Sequence, residues 1–89
     1  MIDREQKLRL GDARKLSQMM QGESVPSSGL SKQMAEELLS EDLIWQQVYG
    51  SRRKFKLRDA NALSIYLAQR YGIQVSLDEW IKVMESGET

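Results

Sequence analysis

Five of the seven residues from 52 to 58 are basic, in a chain of 89 residues whose formal net charge is zero. The run reads Arg52-Arg53-Lys54-Phe55-Lys56-Leu57-Arg58. Its apolar members alternate with cations, which is the period-2 pattern of a β-strand. In any extended conformation Arg52, Lys54, Lys56 and Arg58 share one face. The run therefore predicts a strand that displays a row of positive charge.

The segment before this run completes a predicted β-hairpin. Gly50-Ser51 suits a two-residue turn of type II′. This turn pairs Tyr49 with Arg52, Gln47 with Lys54 and Trp45 with Lys56. One face then carries Ile44, Gln46, Val48, Arg53, Phe55 and Leu57, and we expect it to lie on the core. The opposite face is basic and also holds Trp45 and Tyr49.

The positive charge is concentrated in the middle of the chain. Residues 45–74 contain six bases and one acid, whereas residues 23–44 contain one base and five acids. Residues 75–89 are acidic again, with one base and four acids. This distribution favours a local site for a polyanion over general adhesion to anionic surfaces.

Composition narrows the classes of function. The chain has no cysteine and no histidine, so it lacks the thiol nucleophile, the commonest general base and the commonest metal ligands. We therefore expect no enzyme activity, no catalytic residue, no cofactor, no metal and no small-molecule substrate. No apolar run approaches the length of a membrane span, and the first residues lack a signal-peptide core. A cytoplasmic protein without membrane contact is the expectation.

Four helices are predicted around the hairpin. The first runs from about Asp3 to Gln21, and the second from a cap at Ser27 or Ser28 to about Glu41, burying Leu30, Met34, Leu38 and Leu39. The third is capped by Asp59, packs Leu63, Tyr66, Leu67 and Tyr71 on the core and stops at Gly72. The fourth begins with a capping box, Ser76 to Glu79, and a hydrophobic staple between Val75 and Trp80; Ile81 and Met84 continue its apolar side.

The predicted fold class is therefore mainly α with a small antiparallel β-hairpin (α+β), in the order helix-helix-hairpin-helix-helix. Residues 1–89 form one domain, with a flexible tail at 86–89. Glu36, Glu37, Glu41 and Asp42 are interpreted as a solvated acidic face on the second helix.

Several segments together resemble a bacterial winged-helix DNA-binding domain. The resemblance depends on Leu16–Met20, Val25–Leu30, Met34–Ile44, Gly50 and Arg52–Leu57. It implies a winged-helix-like fold in which the helix from about Ser28 to Ser40 is similar to a recognition helix. It also implies that the ribbon from Trp45 to Arg58 is the wing. A winged helix usually has three helices before its wing; here either Gly11 divides the first segment or one helix is reduced to a turn at Ser27–Leu30.

The leading functional hypothesis is binding of double-stranded DNA by a transcriptional regulator or DNA-processing accessory. The start of the second helix would approach the major groove, and the wing would hold the phosphate backbone. The candidate nucleic-acid-binding residues are Ser28, Ser31, Lys32, Gln33, Arg52, Arg53, Lys54, Lys56 and Arg58.

Other interpretations of the same residues stay open. The cations could protect an edge strand from aggregation, and the serines could serve only as helix caps. The alternative function is a non-catalytic protein-protein interaction or adaptor module, with the basic hairpin and the acidic helix as partner surfaces. Formation of a homodimer also stays open.

Overall fold

The computed structural model of the protein describes residues 8–87. In chain order its elements are α1 Leu10–Met20, β1 Val25–Pro26, a 3₁₀ turn Ser27–Gly29, α2 Lys32–Ser40, β2 Ile44–Tyr49, β3 Arg52–Leu57, α3 Ala60–Tyr71 and α4 Leu77–Gly87. The α+β class is confirmed, and so is the predicted order of two helices, a hairpin and two helices. No helix between residues 8 and 87 combines the length and apolar character needed to cross a membrane.

The hairpin has the predicted register. Tyr49 pairs with Arg52, Gln47 with Lys54 and Trp45 with Lys56. Gly50 has φ 62°, and Ser51 is not among the residues with positive φ, which is the sign pattern of a type II′ turn. Glycine accepts this conformation without the steric cost of a side chain, so the turn sets the pairing of the whole ribbon.

A third strand, which the sequence did not indicate, joins the hairpin. β1 is only two residues long and pairs antiparallel with β3, Val25 opposite Phe55 and Pro26 opposite Lys54. The strand order is β1-β3-β2, so the basic strand is central where β1 covers it. The interpretation of β3 as a charge-protected edge strand is therefore wrong at Phe55 and Lys54.

Only the base of the hairpin lies on the core. Ile44 and Phe55 are buried, whereas Val48 is 62% exposed and Gln46 and Arg53 are also exposed. The expectation that the whole apolar face packs inward is wrong, because the ribbon extends past the helices that cover its base. The tip of the hairpin is consequently accessible from both faces.

The first two helices begin later than predicted. α1 starts at Leu10, and the predicted helical residues 3–7 lie outside the described part of the chain. Gly11 lies in the first turn of α1 and does not break it. The cap of α2 is Ser31 and neither Ser27 nor Ser28, which form the 3₁₀ turn instead.

The predicted buried stripe of α2 is confirmed in part. Leu30, Met34 and Leu38 belong to the core, whereas Leu39 is 40% exposed. A stripe of apolar residues wider than the contact surface leaves its outer member in solvent.

The caps of α3 and α4 are confirmed. Asp59 accepts a hydrogen bond from the backbone N–H of Asn61, and Gly72 ends α3 with φ 71°. Ser76 Oγ accepts from the N–H of Glu79 at 3.2 Å, as in a capping box. Trp80 and Ile81 face the core, but Met84 is exposed, contrary to expectation, and Val75 is also exposed. Residues 86–87 belong to α4, and the rest of the predicted tail lies outside the described residues.

A buried carboxylate connects the first two helices. Asp12 is 5% exposed and accepts two hydrogen bonds from Ser31, from the backbone N–H at 2.9 Å and from Oγ at 2.8 Å. Ser31 Oγ in turn accepts from the N–H of Met34 at 3.2 Å. The start of α2 is therefore set by a residue of α1.

Replacing the buried Asp12 should lower the free energy of unfolding. Asp12→Ala leaves the Ser31 N–H without its acceptor, and an unsatisfied buried donor costs about 1–3 kcal/mol in the free energy of unfolding. Urea denaturation followed by circular dichroism measures this loss. Glu36→Ala, at an exposed position of α2, is the control and should change stability by less than about 0.5 kcal/mol. Equal effects of the two substitutions would contradict the importance of the connection.

Candidate nucleic-acid interface

An open groove lies between the 3₁₀ turn and the tip of the hairpin. It has a volume of about 350 Å³. Its lining residues are Pro26, Ser27, Ser28, Ser51, Arg52, Arg53 and Lys54. The groove exists because Pro26 pairs with Lys54, which brings two segments distant in the sequence side by side.

Three cations of the hairpin line this groove. Arg52 and Arg53 are exposed and Lys54 is partly buried. Within residues 8–87 none of the three forms an ion pair. Their charges are therefore not neutralised locally, and the hydroxyls of Ser27, Ser28 and Ser51 supply hydrogen-bond donors beside them.

Arg58 does not join this group. Its Nε lies 3.1 Å from Asp42 Oδ1, and its backbone N–H donates to the carbonyl of Leu43 at 3.0 Å. It follows the last residue of β3, at the end of the ribbon opposite the turn. Arg58 is thus a candidate from the sequence that the fold separates from the groove and provides with an acidic partner.

Lys56 neither lines the groove nor pairs with an acidic residue among residues 8–87. It is partly buried, sits opposite Trp45 in the ladder and forms no ion pair within the described residues. On the same face Trp45 and Tyr49 are exposed, and Tyr49 Oη donates to Gln47 Oε1 at 2.9 Å. The face thus presents cations and aromatic rings together, which is a combination that suits phosphates and bases.

The candidate residues at the start of α2 have different environments. Ser31 is partly buried, and both its backbone N–H and its hydroxyl bond to Asp12, so it serves the fold. Lys32 and Gln33 follow it in the first turn and are exposed. They do not line the groove. Of the serines predicted as contacts, only Ser28 does so.

Sequence reasoning missed one cation near the groove. The aliphatic stem of Lys15, on α1, runs along the 3₁₀ turn: a Cβ atom at Gly29 would lie 3.5 Å from its Cδ and Cε atoms. Lys15 is partly buried and forms no ion pair within residues 8–87. Nothing local in the sequence signals this position, because the contact joins residues of two different elements.

The sequence predicts that Glu37 belongs to a solvated acidic face, and this prediction is wrong. Its side chain is 18% exposed and accepts hydrogen bonds from the hydroxyls of Tyr66 and Tyr71, the latter at 2.9 Å. Arg70 Nε lies 3.7 Å from the same carboxylate. These contacts attach α2 to α3 and engage one negative charge of α2 within the protein.

Burial and the Glu37 contact affect both tyrosines. Partial burial, reinforced by the hydrogen bond to Glu37 and by its charge, raises the pKa of Tyr71 to about 12. The same causes raise the pKa of Tyr66 even further above its usual value. Both phenols therefore stay protonated well above pH 10, and the protonated form is the one that can donate to Glu37.

Comparison of the chain with protein-family models, with curated proteins and with solved structures finds no match. Within the described residues no group of carboxylates has the arrangement of a metal site. The geometry of the groove and its charges are therefore the basis for a functional proposal.

We expect the folded protein to lose stability at alkaline pH, because Tyr66 and Tyr71 donate to Glu37 only while they are protonated. The folded-state pKa of Tyr71 is raised above its ordinary value of 10, so its contribution to stability is complete below pH 10 and is lost as pH rises toward 12. Thermal unfolding at a series of pH values should show a plateau that ends near pH 10.

Absorbance titration of the tyrosinate band tests the cause of this limit. Glu37→Gln should lower the ionisation midpoints of Tyr66 and Tyr71 toward 10, because it removes the negative charge. Glu36→Gln, one residue away and exposed, should leave the titration unchanged. Identical titrations of all three proteins would contradict the assignment.

Proposed function

We propose that this protein binds double-stranded DNA through the groove and the basic hairpin, as a transcriptional regulator or a DNA-processing accessory. One observation carries the proposal. Arg52, Arg53 and Lys54 have no acidic partner among residues 8–87 and meet Ser28, from a separate segment, in one open groove. Unneutralised cations beside hydroxyl donors are suited to the phosphate backbone, which dominates affinity for DNA.

The order of elements supports a winged-helix type of domain. α1, the 3₁₀ turn Ser27–Gly29 and α2 precede a two-stranded ribbon, so one of the three helices usual before a wing is represented by a single turn. α2 then takes the place of the recognition helix, and β2 and β3 take the place of the wing. This assignment is consistent with α1 being undivided at Gly11.

The positions of the side chains suggest which residues would contact phosphates and which would contact bases. Groove cations contact phosphates and position the protein, which carries no sequence information by itself. Lys32 and Gln33, exposed in the first turn of α2, are the residues available to read base edges, since glutamine can bond adenine and lysine can bond guanine. With so few such residues, we expect phosphate contacts to supply most of the affinity.

The alternative of a protein-interaction module loses part of its support. That alternative needs the predicted acidic surface, but Glu37 is engaged by two tyrosines. Asp42 lies beyond the end of α2 and pairs with Arg58, although its side chain stays 80% exposed. Glu36 and Glu41 remain exposed and without such partners in the described structure. Arg52, Arg53 and Lys54, by contrast, line one groove and form no ion pair within residues 8–87, which favours a polyanion as the partner.

Binding of duplex DNA should depend steeply on salt. Each phosphate neutralised by a lysine or arginine contributes about −0.9 to the slope of log affinity against log salt, so three groove cations predict a slope of about −2.7. Fluorescence anisotropy with a labelled duplex at several salt concentrations measures the slope. Absence of binding at low salt would overturn the proposal.

A matched pair of charge reversals locates the contact. Lys54→Glu should weaken DNA binding by at least about tenfold, because it replaces a phosphate contact with a repelling charge. Lys82→Glu makes the same chemical change at an exposed position of α4 and should leave affinity within about twofold. Equal losses would mean that net charge alone, and not the groove, governs binding.

A substitution in the 3₁₀ turn tests whether the groove acts as one surface. Ser28→Glu introduces a carboxylate facing Arg52 and Lys54 across the groove, so we expect it to weaken DNA binding by at least about fivefold. Ser64→Glu, at an exposed position of α3, is the matched control and should bind as the unaltered protein does. If Ser28→Glu binds normally, DNA does not occupy the groove.

A further inference from the structure

The outer edge of the sheet has an unusual composition. Strand β2 is at the end of the order β1-β3-β2, so within residues 8–87 no strand pairs with its second edge. Alternate residues of an edge strand direct their backbone N–H and C=O groups away from the neighbouring strand. Alternate residues of the six-residue strand β2, which reads Ile-Trp-Gln-Gln-Val-Tyr, therefore offer an unoccupied hydrogen-bonding edge.

β2 lacks the features that usually block such an edge. It contains no lysine, no proline and no charged residue of any kind, whereas β1, at the other end of the order, is only two residues long and ends in Pro26. Three large apolar or aromatic side chains of β2, those of Trp45, Val48 and Tyr49, are exposed. An uncharged strand of this length with exposed apolar side chains is a surface suited to strand addition.

We propose that the occupant of this edge is β2 of a second copy of the chain, paired antiparallel about a two-fold axis. The two sheets then join into one six-stranded sheet in the order β1-β3-β2 followed by β2-β3-β1 of the second copy. This proposal uses no residue that lines the groove, although Trp45 and Tyr49 also belong to the basic face of the hairpin. Dimerisation and DNA binding are therefore measured separately below.

Two-fold symmetry restricts the register of the pairing. Directly opposed residues of an antiparallel pair lie on the same face, so a residue pairs either with itself or with one an even number of positions away. Pairing centred on Gln47 places Trp45 opposite Tyr49 of the second copy, and Tyr49 opposite its Trp45. Aromatic cross-strand pairs are among the stabilising ones, worth about 0.2–1 kcal/mol each.

Charge is compatible with a second copy. β2 is neutral, so the strands that meet bring no like charges together. The two basic β3 strands lie three strand spacings apart, about 14 Å, which exceeds the Debye length of about 8 Å at physiological salt. Their repulsion is therefore largely screened, and both basic rows face the same side of the joined sheet.

Sedimentation equilibrium tests the proposal with a matched pair of variants. The unaltered protein should form a dimer whose fraction rises between about 10 μM and about 1 mM. Val48→Lys places two lysines about 7–8 Å apart in the dimer and should raise its dissociation constant at least about tenfold. Val83→Lys makes the same change on α4 at nearly equal exposure, 60% against 62%, and should leave dimerisation unchanged.

The absence of cysteine from the chain permits a second, positional measurement. Gln47→Cys places the thiols of two copies opposite one another, so an intermolecular disulfide should form readily in a mild redox buffer. Val83→Cys is the control and should form it far more slowly. This readout reports the register and does not require the variant to change stability.

The outcomes separate this proposal from DNA binding. Lys54→Glu should lose DNA affinity and keep the dimer, whereas Val48→Lys should lose the dimer while its monomer still binds DNA at low salt. A monomeric protein throughout the concentration range overturns the proposal. Equal dissociation of Val48→Lys and Val83→Lys, or equal crosslinking of the two cysteine variants, also overturns it, since the contact would then lie elsewhere.

Discussion

The short pairing between β1 and β3 is the constraint on which the arrangement of the site depends. Val25 and Phe55 are opposed and both buried, so the contact is held by the core and not by the two strands' length. Because Pro26 follows Val25 and pairs with Lys54, the 3₁₀ turn is brought beside the tip of the hairpin. Without this contact the groove would lose one wall, and the hairpin would be an isolated ribbon.

Polar contacts between helices then set the orientation of α2. Asp12 holds its start through Ser31, and Glu37 holds its middle through Tyr66 and Tyr71. Buried or half-buried carboxylates with several donors are stabilised only when those donors are in place, so these contacts favour a single orientation. They also engage acidic groups that would otherwise oppose an anionic ligand. The charge of the surface therefore differs from the charge counted along the sequence.

Local patterns predicted a large part of the fold. The hairpin register, the cap at Asp59, the stop at Gly72 and the capping box at Ser76 are all confirmed, because each depends on residues adjacent in the chain. The predicted start of α2 is too early, because Ser27, Ser28 and Ser31 are all acceptable caps. The choice among them came from Asp12, 19 residues before Ser31.

The basic ribbon is predictable from the sequence, because its alternation, its turn and the shared face of Arg52, Lys54 and Lys56 follow from backbone geometry. Three other features depend on how the elements pack: which cations line the groove with Ser28, the pairing of Arg58 with Asp42, and the unpaired edge of β2 within residues 8–87. Those outcomes depend on contacts between residues far apart in the chain. Local sequence patterns do not report contacts between distant residues, because those contacts form only when the elements pack around a common core.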